Sequence, residues 1–488
     1  MLINILLIIW HLNLLAAIVT VFREKREISA TWAWLLVLVV LPVFGFILYA
    51  FAGRKMSSEE IFEIKKQEKL TLEAAIARQK DEWDARELTN DTDITASGRG
   101  LVHFFLESNG SVLTKNNHVT IFTDGEEKFA TLFEDIRQAQ ETINVEYYSF
   151  YSDNLGLQLL KELTNAQKRG VKVRILYDLF GSHGTNYKTF KEFEKVGGQA
   201  QAFVSTPKSR RWTSVPRLNY HDHRKLVIID GKLGYIGGFN VADQYISKNE
   251  KFGYWRDTHL RIIGESVAAM QLRFAMDWNT SCRRTRKEKL PFTEEYFKFD
   301  KIPSEGDTAI QIVSSGPDNE HVSIKRGYQK LISSAEDYLY IQSPYLIPDA
   351  AVLEALVIAA QSGVDVRIMI PCMPDHAFVY RATEYYAHYL LENGVRIYRY
   401  DKGFLHAKTM VSDDHISSVG SANMDYRSFF LNFEVNAFMY NDHKAKQLKK
   451  IFEADIEEAT ELDLAYFQSQ SLWRKFKQDF SRLLSATL

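Results

Sequence analysis

The sequence predicts an α/β protein: two tandem copies of one strand-and-helix domain, forming a pseudo-twofold pair, behind an N-terminal two-helix transmembrane hairpin. Three observations carry this reading. Two apolar stretches of membrane-spanning length open the chain, a strand–helix–strand pattern occurs twice, and a short polar motif recurs once in each copy.

The apolar stretches come first. Leu2 to Phe22 is interrupted by Asn4, His11 and Asn13, and the charged knot Arg23-Glu24-Lys25-Arg26-Glu27 follows it. Trp32 to Gly53 is apolar again, with Pro42 and Gly45 inside, and ends at Arg54-Lys55. Each has the roughly 20 residues needed to cross a hydrocarbon core. No basic segment precedes the first stretch and a second follows at once, which argues against a cleaved signal peptide. Trp32, Trp34 and Tyr49 fall where interfacial aromatics sit. The loop between the stretches holds three Lys/Arg, whereas Arg54, Lys55, Lys65, Lys66 and Lys69 follow the second, which favours a cytoplasmic main body in a cell membrane.

Residues 1–55 are thus read as the hairpin and 56–115 as a charged helical linker. Within the linker, Ser57 to Leu88 is rich in Glu, Lys, Ala and Gln and predicts a solvated helix. The polar, Gly-containing stretch Thr89 to Gly100 marks a boundary. The first domain is read as 116–300 and the second as 301–488. Ile143-Asn-Val-Glu146, a helical segment and Arg169 to Tyr177 make the first copy of the pattern; Leu339-Tyr-Ile-Gln342, a helical segment and Ser362 to Ile370 make the second. Gly170 and Gly363 sit at matching helix ends, where a left-handed cap is wanted. The β-branched runs after them read as buried strands, and the alternation implies a largely parallel sheet in each half.

Composition bounds the function. An apolar fraction of 46% and a charged fraction of 25% are those of a folded protein. With 60 Lys plus Arg against 62 Asp plus Glu, the chain lacks the basic excess of a nucleic-acid coat. Cys282 and Cys372 stand far apart, without the spacing of a zinc site or a disulfide framework, and read as inert thiols.

The repeated motif carries the chemistry. Asn219 to Lys232 reads NYHDHRKLVIIDGK, and Phe404 to Asp413 reads FLHAKTMVSD. The copies pair His223 with His406, Lys225 with Lys408 and Asp230 with Asp413. Gly237-Gly238 pairs with Gly420-Ser421, and Asn240 with Asn423. His221 and Asp222 pair with Phe404 and Leu405, so the duplicated site does not depend on a His221–His223 metal clamp. On a strand His and Lys, two residues apart, project to one face. Asp230-Gly231 is a turn signal that puts the Asp at the strand end, orienting local structure. Gly238 and Ser421 allow close backbone approach, and the asparagines add neutral donors. Two imidazoles, two ammonium groups and two amides suit a phosphodiester. The cations and amides hold the non-bridging oxygens, one histidine attacks phosphorus, and the other protonates the departing alcohol. No metal or cofactor site is read in these residues.

These motifs, HRKLVIID and HAKTMVSD, resemble those of the phospholipase D superfamily. GYIGGFNVADQY, KFGYWRDTHLRI, IPCMPDH and GFLHAKTM, behind a membrane hairpin, are similar to the bacterial cardiolipin synthase family over essentially the whole chain. The resemblance implies two tandem phospholipase D-like domains, each a mixed sheet flanked by helices. It implies a metal-independent transfer in which two phosphatidylglycerols become cardiolipin and glycerol through a phosphatidyl-histidine. By the same resemblance His223 is the nucleophile and His406 the general acid, then base. A carboxylate is expected at the distal nitrogen of each ring; the candidates are Asp257 and Glu434, each in a strand-like run downstream of its motif. The family pattern has Arg-Asn where this chain has His221-Asp222, a change that bears on local anion contacts. Two alternatives remain at this stage: a hydrolase with water as acceptor, and a non-catalytic lipid-binding scaffold.

Three further features have plainer readings. Lys208, Arg210, Arg211 and Arg217 could meet anionic headgroups or form a solvated loop. Arg283 to Lys287 reads as a solvated linker between the copies, and Tyr380 to Tyr389 as a packed helix of the second copy.

Overall fold

A computed structural model describes residues 2–22, 28–41, 44–49, 53, 73–85, 94–203, 219–285, 287–297, 303, 306–319, 321–483 and 485. Loop 23–27, the basic residues from Arg54 to Lys69 and the cluster Lys208 to Arg217 lie outside these residues, as does the first part of the charged segment from Ser57.

The N-terminal part holds α1 (Leu2–Phe22), α2 (Ile28–Val40), α3 (Phe44–Leu48), α4 (73–84) and α5 (Ala96–Asn109). The first copy contributes β1 (Thr114–Phe122), α6 (Gly125–Gln138), β2 (Thr142–Tyr147), α7 (Asn154–Lys168), β3 (Lys172–Asp178), α8 (Lys191–Lys195) and β4 (Gln199–Phe203). It continues through β5 (Lys225–Ile229), β6 (Leu233–Gly237), β7 (Tyr254–Arg256), β8 (His259–Gly264) and α9 (Val267–Thr285). After α10 (Glu294–Phe297) come β9 (Thr308–Ser315), α11 (Ser323–Ser333), β10 (Tyr338–Gln342), β11 (Leu346–Ile347), α12 (Ala350–Gln361), β12 (Asp365–Pro371) and α13 (Ala377–Glu392). Then follow β13 (Arg396–Tyr400), β14 (Gly403–Leu405), β15 (Thr409–Ser412), β16 (Ile416–Gly420), β17 (Met424–Asp425), α14 (Tyr426–Phe430), β18 (Glu434–Tyr440) and α15 (Asp442–Ile456). The chain closes with β19 (Ala459–Leu462), α16 (Leu464–Gln468) and α17 (Leu472–Leu483).

One 15-stranded sheet runs through both copies in the order β19-β13-β12-β10-β15-β16-β18-β9-β1-β8-β6-β5-β2-β3-β4. From the antiparallel β9–β1 pair outward, the two halves repeat each other strand for strand until β19. The sheet is mixed, and the expectation of a largely parallel one is corrected. Within this sheet only β2-β3-β4 and β10-β12-β13, strands linked by helical crossovers, pair in parallel. Tight hairpins such as β5–β6 and β15–β16 connect antiparallel neighbours, because a short turn cannot return a strand in the same direction.

Local signals place these elements. Asp153 and Asp349 cap α7 and α12, accepting from the Gly156 and Val352 N–H groups. Gly170 and Gly363 leave the same helices at φ +99° and +98°. Asp230 turns the chain at φ +53° and accepts the N–H groups of Gln140, Glu141 and Thr142 at 2.9, 2.7 and 2.9 Å. Asp413, at φ +51°, does the same for Glu336, Asp337 and Tyr338 at 2.9, 3.0 and 2.8 Å. Each clasp ties the end of the motif strand to the start of its neighbour, a strand's length from the histidine.

Three apolar clusters make the body. Phe129, Leu132 and Leu159 from α6 and α7 cover one face of the first half. Leu356, Leu390 and Phe105 help cover the second half. A third cluster is common to both halves, with Phe274 and Trp278 of α9 and Leu448 and Phe452 of α15. The expected boundary at Thr89 to Gly100 is instead entered by α5: Thr95 caps it, and Leu101, Val102 and Phe105 pack on the second copy. The polar Ser-Gly-Arg-Gly of its first turns conceals this amphipathic spacing. Lys287, read as a solvated linker residue, donates to Glu194 and to the Ala200 carbonyl at 2.8 and 2.6 Å.

In the hairpin, Asn13 Nδ2 donates to the Leu38 carbonyl at 3.0 Å, and Trp34 meets Tyr49 edge to face. Among the described residues no helix is long and apolar enough to cross a membrane. The side chains of α1 are described at Ile8 and from Trp10 onward, and α2 stops at Val40, just before Pro42.

Candidate active site

His223 lies on the extended residues just before β5. Its N–H donates to the Phe433 carbonyl at 2.9 Å, and the Phe433 N–H donates back to the His221 carbonyl at 2.8 Å. The motif therefore lies along the chain entering β18, in the other copy. The next residue there is Glu434, whose oxygens stand 2.9 and 3.0 Å from His223 Nδ1. The second half repeats the arrangement. β14 pairs in parallel with β7, the His406 N–H donates to the Arg256 carbonyl at 2.7 Å, and His406 Nδ1 stands 2.6 Å from Asp257 Oδ2. Each histidine thus meets the carboxylate of the opposite copy. The sequence order, with each carboxylate downstream of its own motif, does not show this exchange. It follows from the two strand entries that cross between the halves. A carboxylate on Nδ1 fixes the tautomer and leaves Nε2 to face the reactant.

The ammonium groups come from the strand entries as well. Lys225 Nζ donates to the His223 carbonyl at 2.6 Å, and Lys408 Nζ donates to the His406 carbonyl. All four side chains are buried, and their charges act on one another across the two copies. Burial first, and then the ammonium charges of Lys225 and Lys408, hold the His223 imidazole well below its ordinary range. Burial and Lys408 bring His406 down to about 4, against the pull of Asp257. Burial lowers Lys225 to about 7 and Lys408 to about 8, while it lifts Glu434 to about 7 against the opposing charge of Lys225. Burial and the ammonium charges favour neutral imidazoles; an anionic phosphodiester between them would draw protons back.

The small residues of the motif first meet the carboxylates. A Cβ at Gly238 would stand 2.0 Å from Asp257 Oδ1, so glycine admits that carboxylate. At the matching position Ser421 Oγ donates to Glu434 Oε2 at 2.5 Å. Asn240 accepts the Ser149 N–H at 3.1 Å and donates to Tyr245 Oη at 2.9 Å, and Asn423 Nδ2 donates to Asp425 at 3.1 Å. Aromatic rings wall both imidazoles: Tyr148 lies 4.9 Å from His223, and Trp255 and Tyr245 lie 5.1 and 5.9 Å from His406.

The sequence did not single out Tyr148, Tyr245 or Trp255; Tyr148 follows the carboxyl end of β2, where α/β proteins bind ligands, and Trp255 stands two residues before Asp257. His221 Nδ1 stands 3.6 Å from Asp178, with its ring 6.0 Å from Tyr148. Asp222 is fully buried beside Glu146, Asp277 and Arg224, and burial raises its carboxyl to about 7.

The histidine shift has a thermodynamic consequence. Folded His406 takes up its proton only near pH 4, whereas an unfolded imidazole does so at 6.5. Acidification through that window protonates the unfolded chain first. The stability that neutral His406 contributes is complete above pH 6.5 and is lost toward pH 4, by about 3 kcal/mol at most. His406→Gln removes this proton site. The thermal midpoint of the native chain is expected to fall more steeply than that of the variant between pH 6.5 and 4. Parallel curves in calorimetry would contradict the shift.

Comparison with known proteins bears on the same residues. A family model described as "Cardiolipin synthase, PLD-like domain" matches residues 132–278 and 328–456, and one described as "Phospholipase_D-nuclease N-terminal" matches 12–54. A cardiolipin synthase of Listeria innocua is 48% identical over 488 residues, covering 99% of both chains. One of Staphylococcus aureus is 48% identical over 477 residues, covering 98% of this chain and 95% of its own. Among solved structures, phosphatidylserine synthase of Haemophilus influenzae matches at a TM-score of 0.61 and 14% identity, covering 80% of this chain and 100% of its own, a likeness of fold.

Proposed function

The chain belongs to the cardiolipin synthase family of phospholipase D-like proteins, and from that premise we propose that it is a phosphatidyltransferase condensing two phosphatidylglycerols into cardiolipin and glycerol. The observation that carries the reading is the pair of carboxylate-held imidazoles, one from each copy, flanked by two buried lysines.

In the first step His223 Nε2 attacks phosphorus of one phosphatidylglycerol. The bond from phosphorus to the glycerol headgroup oxygen breaks, and protonated His406 gives that oxygen its proton. Lys225 and Lys408 meet the negative charge on the non-bridging oxygens, with Asn240, Asn423, Gly238 and Ser421 shaping the phosphate pocket. Glu434 orients His223, and Asp257 orients His406 and stabilises its charged form. Glycerol leaves. In the second step His406 takes the proton of the headgroup hydroxyl of a second phosphatidylglycerol, whose oxygen attacks phosphorus and releases His223. Asp230 and Asp413 act at a distance, by fixing the motif strands.

The hairpin completes the reading as a bilayer anchor of two spans, with the catalytic body on the cytoplasmic face. Its support is the exposure of Leu12, Leu15, Phe22, Trp32 and Leu36, apolar side chains that a bilayer would cover.

Purified protein supplied with phosphatidylglycerol carrying a labelled glycerol headgroup is expected to release one labelled glycerol per cardiolipin formed. Phosphatidic acid in place of cardiolipin would make water the acceptor and overturn the transferase reading.

A further inference from the structure

Helix α17 is amphipathic in reverse. Its polar residues face the protein: Arg474 and Gln478 converge on the buried Glu384 of α13, with Gln478 Nε2 at 3.1 Å. Arg474 also donates to Tyr466 Oη at 2.9 Å, and Arg482 donates to Tyr385 Oη. The apolar residues face outward, with Leu472 86%, Trp473 64%, Phe476 56%, Phe480 46% and Leu483 72% exposed. Trp473, Phe476 and Phe480 stack in a row, with centroids 5.4 and 6.4 Å apart. Outside the hairpin, no other element of the described residues exposes as many large apolar side chains.

We propose that this face of α17 lies in the interface of an anionic lipid bilayer, anchoring the second copy in the membrane plane. An ordinary surface helix buries its apolar stripe and wets its polar one; α17 spends its polar stripe on docking to α13 and leaves the apolar one for another medium. The charge fits an anionic surface: with Arg474 engaged by Glu384, Lys475, Lys477 and Arg482 stand against Asp479, and exposed Lys477 lies 5.3 Å from the Trp473 ring. The location fits as well. Asp375, which binds Tyr345 Oη and acts on Lys408, lies just before α13. Glu384 lies seven residues into that helix from Ala377, about 10 Å along it. The anchor is therefore built onto the helix that leads away from the catalytic lysine. This inference rests on the reading of the substrate as a lipid.

The test uses the full chain reconstituted in vesicles of phosphatidylcholine, with and without phosphatidylglycerol. Emission from Trp473, isolated as the difference from Trp473→Phe, is expected to be quenched by lipids brominated on the acyl chain, more strongly when phosphatidylglycerol is present. The double variant Phe476→Asp/Phe480→Asp is expected to turn over vesicle phosphatidylglycerol about fivefold more slowly or worse, and short-chain phosphatidylglycerol in detergent at the native rate. Quenching of Trp473 by aqueous iodide and not by brominated lipid would overturn the proposal. So would shielding from both quenchers together with a smaller particle mass for the double variant, which would assign the face to a second copy of this chain. Equal loss on both substrates by the double variant would also overturn it. A native chain inactive on both substrates would instead overturn the transferase reading, leaving the quenching result to stand by itself.

Discussion

His223→Ala is expected to lower the rate of cardiolipin formation by about 10⁴-fold or more, since it removes the atom that bonds to phosphorus. The fold is expected to survive, because the backbone pairing with Phe433 does not use the side chain. His406→Ala is expected to be comparably inactive toward phosphatidylglycerol, whose glycerol leaves poorly without a proton. The two losses differ in kind. With a phosphatidyl substrate whose leaving group needs no proton, His406→Ala is expected to release that group once and stop, while His223→Ala releases none. Rapid-quench measurement of the released group distinguishes them.

Asp257→Asn carries the second large effect, and it acts on the histidine of the other copy. Asp257 Oδ1 accepts the Thr258 N–H at 2.7 Å, and Oδ2 faces His406 Nδ1 at 2.6 Å. In the variant the amide oxygen keeps the Thr258 N–H, which turns the amide NH₂ toward Nδ1. The ring then adopts the tautomer with its proton on Nε2 and cannot accept one from the second substrate. The expected loss in kcat is roughly 10²- to 10⁴-fold, the range in which a misdirected catalytic tautomer falls. A single burst without turnover, on the activated substrate, is the accompanying signature. Normal turnover by Asp257→Asn would contradict the crosswise pairing.

Much of this site is legible in the sequence, because duplication marks it. Two occurrences of HxKxxxxD with a small pair and an asparagine at equal offsets single out His223 and His406 and set His221 aside. The strand–helix alternation and the matched glycines Gly170 and Gly363 likewise give the two copies. The mixed sheet is harder to see, since a strand pattern carries no direction and only the turn lengths betray it. The exchange of Asp257 and Glu434 is invisible for a related reason. Sequence order places each with its own motif, whereas the pairing is set by β14 on β7 and by the Phe433 bridge, contacts between segments some 150 to 210 residues apart. The aromatic wall of Tyr148, Tyr245 and Trp255 is unrepeated, so duplication gives it no mark. The outward face of α17 needs the position of Glu384: taken alone, its pattern predicts a helix packed by its apolar side.

The most direct measurement is to quench the native chain during turnover of phosphatidylglycerol, digest it, and map the phosphatidyl adduct by mass spectrometry under alkaline conditions that preserve phosphohistidine. The adduct is expected on the peptide containing His223, and to accumulate in Asp257→Asn supplied with the activated substrate. An adduct on His406, or none in a chain that is making cardiolipin, would contradict covalent transfer through His223.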